Sequence, residues 1–138
     1  MLVLRASTQV VDGIQHGLAR RGFHDVRPSH GFVFARVRAG DATVADVAGH
    51  LGVTKQAASQ LVEHLVQRGY LTRAVDPRDA RSRLLALTAR GRACTRAAEQ
   101  AAAETVAAWQ GQLDAAAMTG LRAALQAVVV PGRLRPAW

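Results

Sequence analysis

The run Thr43-Val44-Ala45-Asp46-Val47-Ala48-Gly49-His50-Leu51-Gly52-Val53-Thr54-Lys55-Gln56-Ala57-Ala58-Ser59-Gln60-Leu61-Val62-Glu63-His64-Leu65-Val66-Gln67-Arg68-Gly69 decides the fold. Thr43 with Asp46 three residues on forms a capping-box pair, which opens a helix. Val44, Val47, Ala48 and Leu51 then recur at i, i+3, i+4 and i+7, one face of that helix. Gly52 turns the chain and Thr54 is a second N-cap candidate. Ala58, Leu61, Val62, Leu65 and Val66 repeat at helical spacing until Gly69 stops the second helix. Two short amphipathic helices joined through Gly52-Val53 fit a helix–turn–helix. Once the apolar face of the second helix is spent, Lys55, Gln56, Ser59, Gln60 and Glu63 fall on the opposite side. Gln reads adenine edges, Ser several bases, and Lys either guanine or phosphate. The helix N-terminus and the Thr54 hydroxyl suit a phosphate. An ordinary surface helix of a bundle, by contrast, carries Glu/Lys pairs more often than Gln and Ser.

Working outward, the period changes after Gly69. Tyr70–Val75 and Arg83–Leu87 alternate as short strands, with the charged turn Asp76-Pro77-Arg78-Asp79-Ala80-Arg81-Ser82 between them. This hairpin makes the helix–turn–helix a winged one. Its tip carries Arg78 and Arg81 with Arg83 close by, and Arg73 lies on the first strand. A guanidinium on a thin loop can enter a DNA minor groove, and Asp79 can pair with Arg81 to fix its direction.

Thr88 can cap a long Ala-rich helix to about Gln110, and a last helix runs from Asp114 with Met118, Leu121, Leu125 and Val128 on one face, ended by Pro131 and Gly132. Upstream, Val10, Val11, Ile14 and Leu18 mark a helix from Leu4 to about Arg21, and a shorter one spans Ser29 to Arg38. The expected architecture is mainly α with a small β-hairpin wing, in a single domain over residues 1–138. The winged lobe takes about residues 28–88, with dimerisation helices at 1–21 and 89–130.

Charge and composition agree with that reading. The chain of 138 residues carries 18 bases against 10 acids, a net charge of +8. Between Thr54 and Arg92 stand eight bases and three acids, so +5 of the total falls in under a third of the chain. Such a localised basic stretch is the electrostatic footprint of nucleic-acid binding, although a solvated basic face looks the same on charge alone. With 28 Ala and six aromatic residues the terminal helices bury little area each, so their apolar faces call for a second chain. No window approaches the ~18 uncharged apolar residues of a membrane span, and Met1–Leu4 is too short for a signal-peptide core. The lone Cys94 excludes an internal disulfide framework, fits a reducing cytoplasm, and reads as a small buried hydrophobe.

The run from Thr43 to Ser59, then Gly69-Tyr70-Leu71, Asp76-Pro77-Arg78-Asp79-Ala80-Arg81 and Leu87-Thr88-Ala89-Arg90-Gly91, resembles the MarR family of bacterial transcription regulators. The D-x-R-D-x-R wing followed by L-T-x-x-G carries the resemblance well beyond a generic helix–turn–helix, over about residues 40–92. It implies a homodimer that binds double-stranded DNA at a pseudo-palindromic operator, with half-sites ~10 bp apart. It also implies that the Thr54–Arg68 helix enters the major groove and Arg81 the minor groove. Gln56, Ser59 and Gln60 would read bases; Thr54, Lys55 and Arg78 would hold the backbone, and Arg73 and Arg83 complete the DNA-binding set. Many MarR-like proteins are released by a small aromatic or anionic effector. The candidate pocket is His16, Phe23, His30 and Phe34, in a region that also holds Phe32, with Arg20 or Arg27 to meet a charge; the competing reading makes Phe32 and Phe34 core and the His residues surface or capped.

Metal binding has little support. Asp12 and His16 share a helix face with His24 and His30 nearby in sequence, but no Cys or Glu cluster completes a set. No nucleophile–base constellation or phosphate loop appears, so neither catalysis nor a cofactor is expected. The expected function is a sequence-specific DNA-binding repressor in the cytoplasm. Two alternatives are a winged-helix protein-interaction module and a sequence-tolerant DNA architectural protein; a Gln/Ser-rich reading face favours the first reading over both.

Overall fold

The computed structural model describes residues 1–129, which form six helices and one two-stranded antiparallel sheet. The expected helix stop at Pro131 and Gly132 lies outside the described residues. The chain divides into two compact units, one built from residues 1–22 and 97–129 and one from residues 23–96. One helix, α5 (Ala89–Gln110), contributes to both.

The winged unit opens with α2 (Pro28–Arg38). Proline at the first helical position needs no N–H partner, and it holds Arg27 before it in the extended region. Nδ1 of His30 accepts the Arg27 N–H at 3.1 Å, so the third helical residue closes the N-terminus. Helix α3 (Val44–Leu51) starts as the sequence predicts: Thr43 Oγ1 accepts the Asp46 N–H, and Asp46 Oδ2 accepts the Thr43 N–H at 2.8 Å. These bonds hold the Asp46 carboxyl below its ordinary pKa. Gly52 ends the helix at φ 70°, a left-handed position that glycine takes without a Cβ penalty. Helix α4 (Lys55–Gln67) is capped by Thr54, whose Oγ1 accepts the Ala57 N–H at 3.2 Å. Its Ala58, Val62 and Leu65 are fully buried with Val33, Val47, Tyr70 and Leu71, and these residues make the core of the unit.

The hairpin departs from the sequence expectation. Strand β1 is Leu71–Asp76 and β2 is Asp79–Leu87, so the seven-residue turn expected at 76–82 contracts to Pro77-Arg78. The physical reason is Asp76. Its carboxylate is buried and accepts both the Arg78 backbone N–H at 2.9 Å and the Arg78 Nε–H at 3.1 Å, closing a local turn. Val75 pairs with Arg83 but Asp76 pairs with Asp79, so residues 80–82 bulge from the ladder. At the foot of the wing the Leu85 N–H donates to the Ala42 carbonyl at 2.8 Å, tying β2 to the loop before α3.

The start of α5 explains the L-T-x-x-G run. Thr88 Oγ1 accepts the Gly91 N–H at 3.0 Å, and its hydroxyl donates to the Gly69 carbonyl. A Cβ on Gly91 would collide with the Tyr70 carbonyl oxygen, so the helix can lie against β1 only without one.

The helical unit holds α1 (Leu2–Arg20), residues 97–110 of α5, and α6 (Ala115–Val128). Gly13 lies against Thr105 and Gly17 against Ala101, so closely that a Cβ at either would overlap its neighbour. Small residues here replace large ones as the means of packing. Arg21 spans the same pair of helices, reaching Glu104 Oε1 at 2.6 Å. Helix α6, capped by Asp114 through the Ala117 N–H at 2.7 Å, buries none of its residues. No helix among the described residues is long and apolar enough to cross a membrane.

Candidate nucleic-acid interface

The core face of α4 leaves Lys55, Gln56, Ser59 and Gln60 exposed, all within its first two turns. The Thr54 oxygen accepts the cap bond, which leaves its O–H to donate outward. Lys55 and Ser59 line one open hollow of about 390 Å3 with Arg73, Arg81 and Arg83 of the wing and Thr43, Val44 and Ala45 at the start of α3. Five of the nine residues expected to touch DNA thus border one concavity, drawn from a helix and two strands.

The bases of this region divide by what they already hold. Arg73 pairs with Glu63 of α4 at 3.1 Å, which braces the wing against the helix. Arg78 binds Asp76 at 3.1 Å and Asp41, in the loop before α3, at 2.8 Å. This raises the Arg78 pKa and lowers that of Asp76. Arg83 donates through Nη1 to the Ala80 and Ser82 carbonyls at 2.9 and 3.0 Å, which closes the bulge from inside. Among the described residues the Lys55 and Arg81 side chains have no ion-pair partner, and both are exposed. Asp79 acts on Arg81 through the backbone: Asp79 Oδ1 accepts the Arg81 N–H at 3.0 Å, where the sequence suggested a side-chain pair.

Two further bases of the basic stretch are spent inside the lobe. Arg90 lies 4.6 Å over the Tyr70 ring and donates to the Tyr70 hydroxyl at 3.0 Å. That hydroxyl donates in turn to Asp25 Oδ1 at 2.5 Å, and Arg68 and Arg90 each stand 3.6 Å from the Asp25 carboxylate. Burial and the bond to Asp25 push the Tyr70 pKa up to about 12, and the Tyr70 bond lowers that of Asp25. This network joins the loop before α2, the end of α4 and the start of α5, and the sequence reading missed it. So was the Asp41 clamp on Arg78 missed, because 37 residues separate the partners and no local pattern marks the pair.

The candidate effector residues fall on both units. His16 sits on α1, its Nδ1 2.7 Å from the Asp12 carbonyl. Phe23, His30 and Phe34 belong to the winged unit. Phe34 and His30 are buried; the Phe34 and Phe23 rings pack on Tyr70 at 5.7 and 6.4 Å, and His30 lies 5.5 Å from His64. Cys94 is buried, and burial pushes its thiol pKa up to about 11, away from reactive thiolate. Among the described residues no group of three or more His, Cys, Asp or Glu side chains could hold a metal ion.

Comparison with known proteins follows the same lines. The MarR family model matches residues 22–82, which span the lobe from the loop before α2 to the wing. A search of curated proteins by sequence gave no match. Among solved structures, RV1404 from Mycobacterium tuberculosis is similar at 25% identity and a TM-score of 0.77, covering 96% of this chain and 93% of its own. Wild-type MarR from E. coli in its apo form shares 21% identity, with a TM-score of 0.74 and coverages of 94% and 95%. A mutant of E. coli MarR complexed with operator DNA matches at 21% identity and a TM-score of 0.69, covering 94% of this chain and 91% of that one. Residues 22–82 thus match the MarR family model, and the chain shares the overall fold of these solved MarR-type structures.

Proposed function

We propose that this protein is a cytoplasmic, sequence-specific repressor that binds a pseudo-palindromic DNA operator as a homodimer. One observation carries the reading. Lys55 and Ser59, on the exposed face of α4 that also carries Gln56 and Gln60, border the same hollow as Arg81, the wing-tip guanidinium without an ion-pair partner among the described residues. Gln56, Ser59 and Gln60 read base edges from the major groove, and Arg81 enters the adjacent minor groove. Thr54 and Lys55 hold the phosphate backbone. Arg73, Arg78 and Arg83, already engaged by Glu63, Asp76 and Asp41, and backbone carbonyls, add positive potential and hold the wing in place. The operator complex of the E. coli relative supports this use of the fold.

The homodimer is supported by the helical unit. Met1 to Leu4, Leu121, Leu125, Val128 and Val129 are exposed apolar residues on the two helices nearest the ends of the described chain. In this reading residues 1–21 and 89–130 dimerise and about 28–88 form the DNA lobe. A small aromatic or anionic effector releases the operator. No catalytic step belongs to the function.

Selection of duplexes from a random pool by the purified protein, at near-physiological salt, tests the reading. Enrichment of an inverted repeat with half-sites about one helical turn apart is the expected result. Binding without a motif, fading steeply with salt, would leave a sequence-tolerant architectural protein. No DNA binding would point to a protein-interaction module.

A further inference from the structure

The wing is anchored to the rest of its lobe at two levels. The lower one is its foot, where the Leu85 N–H donates to the Ala42 carbonyl at 2.8 Å. Arg73, which pairs with Leu85 in the ladder, holds Glu63 of α4 at 3.1 Å, so both of these ties lie at one height. Above them the hairpin runs on as a two-stranded ribbon through Val75 and Arg83. Such a ribbon twists strongly and is marginal on its own. Its tip is closed by local bonds instead: Asp79 Oδ1 accepts the Arg81 N–H, and Arg83 donates to the Ala80 and Ser82 carbonyls. The tip therefore moves as one piece, and a tie at its end decides where Arg81 stands.

The upper tie is Arg78. It donates from Nε to Asp76 Oδ1 at 3.1 Å and from Nη2 to Asp41 Oδ2 at 2.8 Å, so one guanidinium bridges the wing turn and the loop before α3. That loop is itself fixed. Arg36 of α2 donates to the Gly40 and Asp41 carbonyls at 3.3 and 3.0 Å, and stands 3.7 Å from Asp46, the acid of the α3 capping box. A line of charge-assisted contacts thus runs from α2 and the start of α3 to the wing turn. Arg81 and Ser82 line the DNA-facing hollow, whereas Arg78 and Asp41 stand outside its lining. The side chains of Arg78 and Asp41 are 67% and 66% exposed. A pair so exposed contributes little to stability, and its consequence is position.

We propose that Asp41 is a specificity-determining positioning residue. Through Arg78 it holds the wing tip against the loop before α3, and so sets the distance from Arg81 to the reading face of α4. The inference rests on the DNA reading above. Arg81 enters a minor groove while Gln56, Ser59 and Gln60 read the adjacent major groove, and the two contacts coexist only at one spacing of wing and helix. A tip ordered before binding reaches that spacing without the entropy loss of being immobilised on DNA. Charge alone gives the opposite sign: removing the Asp41 carboxylate makes the lobe more positive and tightens every duplex alike.

Asp41→Ala tests it in the full chain, with the duplex enriched in the random-pool selection as operator and a shuffled duplex of equal length beside it. The expected result is about a fivefold loss on the operator, within the roughly tenfold expected of Arg81→Ala, and no loss on the shuffled duplex. In the Arg81→Ala background, Asp41→Ala should cost nothing further on the operator, because the side chain it positions is gone. Without DNA, backbone order parameters at residues 78–82 should fall from about 0.85 towards about 0.6 by NMR relaxation. Tighter binding of both duplexes alike would reduce Asp41 to its charge and overturn the proposal. So would losses that add in the double variant, or order parameters that stay unchanged. Failure of the unaltered chain to select an operator would overturn the DNA reading, and this role with it. That failure is told apart from failure of the clamp, because the order parameters are read without DNA.

Discussion

The winged unit and the helical unit solve the problem of burial in opposite ways. In residues 23–96, α2, α3, α4 and the wing close over Val33, Val47, Ala58, Val62, Leu65, Tyr70 and Leu71, and helices α3 and α4 each begin with a side-chain cap. Residues 1–22 and 97–129 bury Leu18, Gly17, Ala97 and Ala101, mostly small groups, and leave Leu2 82% and Val128 74% exposed. Small residues bring backbones close but bury little apolar area, and area is the main favourable term in folding. The first unit closes over a core of its own. The second leaves apolar side chains exposed, which the proposed homodimer would cover.

The largest expected effect breaks the first half of that contrast. Leu65 is fully buried on α4, so Leu65→Ala is expected to cost about 2–5 kcal/mol by thermal or urea denaturation. An effect below about 1 kcal/mol would mean that the unit does not depend on its own core. The second half is broken from α6. Leu125→Glu puts a charge on an exposed apolar residue, so a monomeric protein should tolerate it. The expected outcome is dissociation in sedimentation velocity and about a hundredfold loss of affinity for a two-half-site operator, because the two lobes then bind separately. A sedimentation coefficient equal to that of the unchanged protein would remove α6 from the interface.

A pH titration sharpens the comparison inside the winged unit. His30 is buried, and that burial, with His64 and Arg27 beside it and against the pull of Asp25, lowers its pKa from 6.5 to about 4. Protonation would also take the Nδ1 lone pair from the Arg27 N–H. Between these pKa values the unfolded chain binds more protons than the folded one. The stabilisation is therefore whole above about pH 6.5 and lost progressively as pH falls towards 4, by at most roughly 3 kcal/mol. Denaturation at pH 7.5, 5.5 and 4.5 measures it, and in His30→Asn the drop should shrink. The smallest effect concerns the wing itself. Arg81→Ala should weaken operator binding about tenfold with unchanged melting, since its side chain is exposed without an ion-pair partner among the described residues. Arg78→Ala, which releases the buried Asp76 and Asp41, should instead lower the stability of the lobe. Matching outcomes for the two variants would erase the distinction between a reading arginine and a structural one.

Local signals were legible where local physics decides. The Thr43/Asp46 box, the Thr54 cap, the Gly52 turn and the inward faces of α3 and α4 follow from spacings of three and four residues, and each stands where the sequence places it. The hairpin was legible as a hairpin, but its turn was misjudged. A run of charged residues looks like an open loop until Asp76 is seen to bind both the backbone and the side chain of Arg78.

By itself, then, the sequence determined the order of helices and strands, the excess of positive charge around the wing, and the hydrogen-bonding face of α4, because periodicity, capping and composition act between near neighbours. Only the tertiary structure decided which of those charges are spent. Arg90 goes to Tyr70 and Asp25, Arg73 to Glu63 and Arg78 to Asp41, while Lys55 and Arg81 stay without an ion-pair partner among the described residues. The physical reason is that an ion pair depends on a few ångströms of distance between residues that folding brings together, and sequence spacing does not encode that distance.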